Sequence, residues 1–279
     1  MIGILDVGGG TRDIYGAGIS DYLLEHHIYM DYGIGISAGS ANLASYFAGQ
    51  IKRNYYFYID YLYRKEYMSM KNFIKDGSYL DFDYIYGDLS NHDGENPLDY
   101  EALKNNPAQF KVLAYDAKTG EGHYFTKDDM ALDSYRIFSA SCCLPIVCKP
   151  VEINGVPYYD GGLADPVPVQ KMLDDGCDQI IVVLTKPKDL VRKAEDDETN
   201  AKLLSLTDPL AAENLRKRAQ RYNDGVAYAK ELEKQGKALI VAPDTIGDMG
   251  TLTKDKQALY LLYRKGYVDG ERIRKFLEK

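Results

Sequence analysis

The chain has 279 residues, of which 45% are hydrophobic and 27% charged, a composition typical of a soluble globular protein that buries a sizeable core. Its net charge of −8, with no compact run of Lys or Arg, argues against a protein that binds nucleic acid through the phosphate backbone. The N-terminus has no signal-peptide pattern and no window is apolar enough to span a membrane, so we expect a cytoplasmic protein.

The cysteines do not form the pattern of a metal site. Cys142 and Cys143 are adjacent, Cys148 and Cys177 stand apart, and no histidine lies close to them in sequence. This spacing fits no common set of zinc ligands. We therefore predict buried free thiols in a reducing compartment, and we expect neither a metal ion nor another cofactor.

The first predicted strand, residues 2–7, runs directly into a glycine-rich loop. This loop consists of Gly8, Gly9, Gly10, Thr11 and Arg12. Glycines between a strand and an amphipathic helix (residues 15–26) leave main-chain N–H groups uncovered, which makes a cradle for an anion. A dinucleotide site would need glycine where Asp13 stands, and a Walker lysine is absent. We therefore favour an oxyanion hole over a phosphate site, with a purely structural turn as the alternative.

A serine lies at the next predicted strand-to-helix turn. Residues 32–36 have the short apolar pattern of a buried strand, and the small residues after Ser37 predict a helix that ends near Gly49. Gly35 stands two residues before Ser37, and Gly39 stands two residues after it. At these positions the strand and the helix nearly touch, so a bulky side chain would not fit. This G-x-S-x-G pattern predicts a nucleophile elbow, and a chance occurrence of the string is the alternative.

The segment 51–89 is dense in tyrosine. Four of its residues fall on one helical stripe: Tyr55, Ile59, Leu62 and Tyr63. We predict that this stripe packs in the core or covers the sheet edge. An acyl-binding or interface role is the alternative, because tyrosine suits the boundary between apolar and wet surroundings.

The middle of the chain leads to an acidic residue. Its patterns predict a helix over 98–105, a strand over 110–115, a hairpin over 117–126, a helix over 133–141 and a hairpin over 151–159. The second hairpin turns at Asn154 and Gly155, a strong signal for a two-residue turn, and continues into Asp160, Gly161 and Gly162.

The remaining elements alternate between helix and strand. They are a helix over 168–175, a strand over 179–184, a polar segment over 186–207, a long helix over 209–234, a strand over 238–242 and one or two helices over 255–277. The polar segment is predicted to be a mobile surface excursion. This alternation predicts a single three-layer α/β domain over residues 1–279, with core motifs in 1–185 and C-terminal helices with one strand in 208–279.

Ser37 needs a base, because a serine hydroxyl is a poor nucleophile until its proton is removed. The four histidines, at positions 26, 27, 92 and 123, lack a supporting pattern. Asp160 is the better candidate, since Gly161 and Gly162 allow an unusual backbone and the close approach of another segment. An ordinary aspartate, with a pKa of about 3.9, is a weak base, so we expect burial to raise the pKa of Asp160.

Three motifs follow one another along the chain: the glycine-rich loop, the elbow around Ser37 and the Asp160-Gly161-Gly162 motif. In order and spacing they resemble the motifs of the patatin-like phospholipases, and most closely those of the bacterial patatin-like hydrolases. The resemblance implies a three-layer α/β/α sandwich with a mostly parallel sheet. It also implies hydrolysis of lipid acyl esters by a Ser-Asp dyad without a metal ion. We therefore expect a lipid or small acyl-ester substrate and no nucleic acid partner, and a transient contact with a membrane surface fits such a substrate.

The resemblance assigns roles to individual residues. It implies that Ser37 is the nucleophile, that Asp160 is the base, and that the amides of the glycine-rich loop form the oxyanion hole. Arg12 takes the place of the usual basic residue of this loop, whereas Asp13 stands where the family has glycine. If that position needs a positive φ, we expect backbone strain at Asp13, and an ion pair from Asp13 to Arg12 or another base would change the charge of the site.

Three alternatives remain open from the sequence. The unusual Asp13 favours a protein that binds acyl lipids with weak turnover or none. A general carboxylesterase would use His123 as its base. A nucleotide-binding α/β domain is the most distant of the three, because the loop lacks the dinucleotide and Walker patterns.

Overall fold

The computed structural model describes residues 1–278, which build an eight-stranded sheet with helices on both faces. The strands are β1 (Ile2–Asp6), β2 (Tyr32–Ile36), β3 (Gln109–Asp116), β4 (Gly122–Thr126), β5 (Val151–Ile153), β6 (Val156–Asp160), β7 (Gln179–Val183) and β8 (Ala238–Val241). The helices are α1 (Ile14–Glu25), α2 (Ala38–Phe47), α3 (Arg53–Ile59), α4 (Met70–Asp76), α5 (Tyr100–Asn105), α6 (Arg136–Ser141), α7 (Val169–Asp174), α8 (Glu195–Leu204), α9 (Pro209–Lys234) and α10 (Lys256–Leu277).

The sheet has the strand order β5-β6-β3-β2-β1-β7-β8, and β4 pairs with β3. Within this order, the five strands β3, β2, β1, β7 and β8 run parallel to one another. The hairpin β5–β6 and the strand β4 extend the sheet with antiparallel pairs. This arrangement confirms the predicted mostly parallel sheet, and the hairpin predicted over 151–159 forms as β5–β6. The hairpin predicted over 117–126 is displaced, because its first strand is β3 and residues 117–121 form the turn to β4.

Two apolar layers cover the sheet, one on each face. Successive residues of a strand point to opposite faces, and so Ile4 and Leu5 of β1 belong to two separate buried clusters. The cluster around Ile4 packs against α1, α2 and α10, and the cluster around Leu5 packs against α7 and α9. The central strand β1 is thereby buried on both sides, which holds the loop that follows it in a rigid frame.

Two predictions of local structure were wrong. The tyrosine stripe does not lie on one helix, because α3 ends at Ile59 and a separate 3-10 turn spans Tyr61–Tyr63. The segment 186–207 is not a plain surface excursion, because it contains α8, which packs against α9. Asp197 of α8 is buried and pairs with Arg218 of α9, a contact that the local pattern of the sequence does not reveal.

Within residues 1–278, no helix combines the length and the apolar character needed to cross a membrane. All four cysteines are free thiols, and Cys143, Cys148 and Cys177 are buried as predicted, whereas Cys142 is half-buried. The same residues contain no group of three or more His, Cys, Asp or Glu side chains placed to hold a metal ion.

Candidate active site

Ser37 occupies a strained turn between β2 and α2. Its φ of 54° and ψ of −134° lie outside the regions that non-glycine residues ordinarily adopt. The turn is also crowded, since a Cβ at Gly35 would lie 2.4 Å from the Cα of Ser40. The structure therefore gives Ser37 the sharp strand-to-helix turn that the sequence predicted.

Hydrogen bonds from two other serines hold this turn. The N–H of Ser37 donates to Oγ of Ser141 at 2.8 Å, and Ser141 Oγ donates in turn to the carbonyl of Leu113 in β3 at 2.6 Å. On the other side, Ser40 Oγ donates to the carbonyl of Ser37 at 2.6 Å. The strained backbone of Ser37 is thus tied to α6, β3 and α2, and sequence reasoning gave neither Ser40 nor Ser141 a role.

Asp160 is the last residue of β6, where it pairs with Ala114 of β3 and is buried. Its Oδ1 accepts a hydrogen bond from the N–H of Gly162 at 2.8 Å, whereas no group in residues 1–278 bonds to Oδ2. Burial raises the pKa of the Asp160 carboxyl above its ordinary value of 3.8. The hydroxyl of Ser37 and the N–H of Gly162 favour the ionised carboxylate and partly oppose that rise in the pKa.

The glycine-rich loop turns back on itself beside Ser37. Gly9 has a φ of 148°, and a Cβ there would lie 2.1 Å from Oγ1 of Thr185. Two N–H groups of the loop are already used, because Gly8 donates to Oδ1 of Asp6 at 3.1 Å and Thr11 donates to the carbonyl of Thr251 at 2.8 Å.

The N–H groups of Gly9 and Gly10 donate to no acceptor in the part of the chain that the structure describes. Gly10 also lines a cavity together with Ser37. Gly9 and Gly10 thus retain main-chain donors for a group that enters that cavity.

Two cavities meet at Ser37. An apolar cavity of about 70 Å³ lies between α2, α3 and the π-helical turn Tyr84–Asp88, and its walls include Phe57, Leu62 and Ile85. A larger cavity of about 320 Å³ has a mixed polar and apolar lining and contains Asp160 and most of the glycine-rich loop. We call it the polar cavity, because charged side chains such as Arg12 and Arg218 line it. Ser37 lines both cavities, so an ester carbonyl at Ser37 can direct its two substituents into different surroundings.

Comparison with known proteins places this arrangement in a family. The model of the patatin-like phospholipases matches residues 7–173, which is more than half of the chain. The chain belongs to the patatin-like phospholipase family. This membership confirms the resemblance inferred from the three motifs, and it supports lipid acyl hydrolase activity in general terms. A second family model, described as a domain of unknown function (DUF6363), matches residues 208–278.

Individual relatives of this patatin-like chain are distant. The uncharacterized protein YjjU of Escherichia coli (strain K12) is 26% identical over 196 residues, which cover 68% of this chain and 53% of that protein. The chain therefore spans about half the length of this curated relative. The crystal structure of VipD from Legionella pneumophila matches with a TM-score of 0.55 and 12% identity, and covers 97% of this chain and 66% of that chain. This likeness shows a shared fold.

Asp13, which departs from the patatin-like pattern, causes neither of the expected effects. Its φ is −76°, so the position needs no positive φ and carries no such strain. No ion pair joins Asp13 to Arg12 or to another base of the described residues. The carboxyl instead lies beside that of Asp6, and a Cβ at Gly16 would meet Asp6 Oδ2 at 2.5 Å and Asp13 Oδ1 at 2.7 Å.

Burial raises the pKa of Asp6 to about 6, although hydrogen bonds from Gly8 and Asp13 oppose the rise. Burial and the negative charge of Asp6 raise the pKa of Asp13 well above its ordinary value. Both side chains are buried, and Asp6 accepts a hydrogen bond from the N–H of Gly8 in the glycine-rich loop. Asp6 thus holds the glycine-rich loop, and Asp13, the residue that departs from the family pattern, lies beside Asp6.

The histidines lie elsewhere. His123 is exposed on β4, with its ring against Phe125 and Tyr158. His92 is also exposed and pairs with Asp133. Neither residue lines the two cavities at Ser37, so the described residues give the carboxylesterase alternative no histidine at the serine.

Proposed function

We propose that this patatin-like protein hydrolyses acyl esters of lipids with a Ser37–Asp160 dyad, through an acyl-enzyme. The observation that carries the proposal is the position of Ser37, which lies between an apolar cavity and a polar cavity that contains a carboxyl oxygen without a partner. The apolar cavity suits the acyl chain, and the polar cavity suits the alcohol part of the ester. The raised pKa of Asp160 brings its basicity closer to what proton transfer from a serine needs.

The first half of the reaction forms the acyl-enzyme. Asp160 Oδ2 takes the proton of Ser37 Oγ while Oγ bonds to the ester carbonyl carbon, whose oxygen becomes an oxyanion. The N–H groups of Gly9 and Gly10 are the donors that we assign to this oxyanion, because those of Gly8 and Thr11 are bonded within the protein. Each such donor typically lowers the barrier by roughly 3 kcal/mol. Collapse of the intermediate breaks the bond to the alcohol oxygen, which receives the proton from Asp160.

The second half repeats these steps with water. Asp160 takes a proton from a water molecule, whose oxygen attacks the acyl carbon, and the same N–H groups stabilise the second oxyanion. Expulsion of Ser37 Oγ, which recovers its proton from Asp160, releases the carboxylic acid. The loop and the dyad are then ready for the next substrate.

Activity-based labelling tests the proposal. A fluorophosphonate probe should label the wild-type protein, which should also hydrolyse p-nitrophenyl acyl esters, and Ser37→Ala should lose both properties. Ser205→Ala, which changes a half-buried serine at the end of α8 that lines neither cavity, is the matched control and should keep both properties. Labelling that persists in Ser37→Ala would remove Ser37 from the mechanism. A wild-type protein that binds acyl lipids without turning them over would favour the lipid-binding alternative.

A further inference from the structure

A side chain that follows strand β7 holds the carbonyl of Gly8. Thr185 stands two residues after the end of β7, and its Oγ1 donates to the carbonyl of Gly8 at 2.6 Å. The parallel register of β1 and β7 leads to this contact, because it pairs Asp6 with Val183, and Gly8 and Thr185 each lie two residues further along. Thr185 is only 3% exposed, so the bond is shielded from solvent. The hydroxyl thus continues the contact between the two strands beyond their main-chain pairing.

This contact fixes the direction of the next N–H group. No cis peptide bond occurs in the described residues, so the carbonyl of Gly8 and the N–H of Gly9, which share one peptide group, point in opposite directions. The carbonyl points toward Thr185, and the N–H of Gly9 therefore points away from it. Gly9 lines the polar cavity, and its N–H is one of the two donors that we assign to the oxyanion. One hydroxyl thus decides where this donor points.

The same peptide group lies against the proposed nucleophile. A Cβ at Gly8 would lie 2.2 Å from the carbonyl oxygen of Ile36 and 2.9 Å from the Cβ of Ser37. Both glycines have a positive φ, which is 68° at Gly8 and 148° at Gly9. Residues with side chains would meet both steric and backbone strain at these positions. The absence of side chains therefore lets the loop approach Ser37 and Thr185 at the same time.

The two glycines also give their shared peptide group the freedom to turn over. Such a group can rotate about ψ of Gly8 and φ of Gly9 with little steric cost, because neither residue has a Cβ. In the turned orientation the carbonyl of Gly8 would replace the N–H of Gly9, and a developing oxyanion would meet a repelling carbonyl dipole. The bond from Thr185 opposes this rotation, since the turned peptide would leave a buried hydroxyl and its acceptor apart.

A second anchor holds the peptide group on the other side of Gly8. Oδ1 of Asp6 accepts a hydrogen bond at 3.1 Å from the N–H of Gly8, which belongs to the peptide that Val7 and Gly8 share. Asp6 and Thr185 are both buried and follow different strands of the sheet. Threonine suits its position because a β-branched side chain has restricted freedom about χ1. The peptide groups before and after Gly8 are therefore both fixed before a substrate binds.

We infer that Thr185 is a positioning residue that orients the Gly8–Gly9 peptide and keeps an oxyanion donor in place before the substrate binds. The inference rests on the proposed function, since it requires that the N–H of Gly9 stabilises the oxyanion. Thr185 contacts none of the reacting atoms and acts through the glycine-rich loop. Donors that are oriented in advance need no reorganisation while charge develops, so the loss of Thr185 should affect the transition state more than the bound substrate.

Steady-state kinetics with a p-nitrophenyl acyl ester test the inference. Thr185→Val keeps the shape of the side chain but loses the hydroxyl, so kcat should fall by about a hundredfold at nearly constant KM, as when one oxyanion donor is lost. Thr185→Ser returns the hydroxyl and should restore most of kcat. Thr207→Val is the matched control, because Thr207 is exposed, lines neither cavity and donates through Oγ1 to the carbonyl of Leu204 at 3.3 Å.

Crystal structures of the variants separate this inference from the proposed function, because they need no turnover. In Thr185→Val the Gly8–Gly9 peptide should be turned over or present in two orientations, and in Thr185→Ser it should keep the wild-type orientation. A wild-type protein that hydrolyses no ester would remove the proposed function. A turned peptide in Thr185→Val would still support the role of Thr185 in orienting the loop.

An unchanged peptide orientation in Thr185→Val overturns the inference, even if kcat falls. A wild-type kcat in Thr185→Val has the same consequence, and so does an increase in KM at constant kcat, which would assign Thr185 to substrate binding. Thermal melting shows whether each variant is folded. If Thr185→Val melts early, Thr185→Cys, whose thiol is a weak donor, replaces it with the same expected direction of each result.

Discussion

Ser141 accepts a hydrogen bond from the N–H of Ser37 at 2.8 Å, although the two residues are 104 positions apart in the chain. The same hydroxyl donates to the carbonyl of Leu113 at 2.6 Å and therefore bridges α6, the strained turn and the sheet. A strained backbone persists only where its surroundings fix it, and Ser141 is one of the groups that fix this one. If Ser37 is the nucleophile that we propose, Ser141 positions it without contacting the reacting atoms.

Ser141→Ala should therefore lower kcat by roughly tenfold and change KM little, because the turn loses one support while both cavities remain. Ser139→Ala is the matched control, since Ser139 lies on the same helix and its side chain has no hydrogen bond in the described structure. Steady-state kinetics with a p-nitrophenyl ester provide both constants. An increase in KM at constant kcat would assign Ser141 to substrate binding instead.

Asp160→Asn should reduce kcat/KM by about a thousandfold, within the usual contribution of a general base. The amide of asparagine still accepts the hydrogen bond from Gly162 but cannot take the proton of Ser37. Asp165→Asn, a change to another carboxyl of the same loop, should retain near-normal rates. Hydrolysis by Asp160→Asn at the wild-type rate would assign the base role to a different residue.

The pH dependence of hydrolysis should report on Asp160. Because burial raises the pKa of this carboxyl, and only the ionised form accepts a proton, kcat/KM should fall as the pH drops through a midpoint above the ordinary value of 3.8. The residual kcat/KM of Asp160→Asn should not show this fall at low pH. A midpoint at or below 3.8 in the wild-type protein would contradict the effect that we ascribe to burial.

Asp13→Asn should stabilise the protein at pH 8. Both buried carboxyls, Asp6 and Asp13, have raised pKa values, so the folded state holds protons that the unfolded chain has already lost, and stability declines as pH rises through the raised values. Asparagine removes one charge and can donate to Asp6. The free energy of unfolding should rise by about 2 kcal/mol at pH 8. The gain should shrink as the pH falls below the raised pKa values, and little of it should remain once the pH reaches the ordinary value of 3.8.

Urea denaturation at several pH values measures this effect. Asp88→Asn, which removes an exposed carboxylate, is the control and should change stability little at any pH. A destabilised Asp13→Asn protein at pH 8 would mean that the ionised pair has compensating contacts that we have not recognised.

The sequence predicted those parts of the fold that depend on neighbouring residues. The strand β1, the long helix α9 and the turn of the second hairpin at Asn154 and Gly155 follow from apolar periodicity and turn chemistry. The elements that carry Ser37 and Asp160 were also predicted, because each lies beside glycines whose spacing reveals a close approach.

The remaining features depend on partners that are distant in the chain. Asp13 was expected to disturb the loop, yet it lies beside Asp6, and no local pattern indicates that the two carboxyls meet. In the sequence, Asp197 belongs to a run of acidic residues that is typical of a solvent-exposed surface. In the structure it is buried against Arg218, and this ion pair holds the segment around α8 in place. In the same way, Ser141 is an ordinary helix residue until β3 and the turn at Ser37 are placed next to it.

The bond from the N–H of Thr11 to the carbonyl of Thr251 joins the beginning of the chain to the stretch before α10. A shortened protein that ended at residue 185 would keep all three motifs but would deprive Arg12 of its acceptors at Met249 and Thr251. It would also uncover the flank of α1 that α10 packs against. Substitutions in this remote stretch should accordingly behave like active-site substitutions, and domain swaps between relatives should exchange both pieces together.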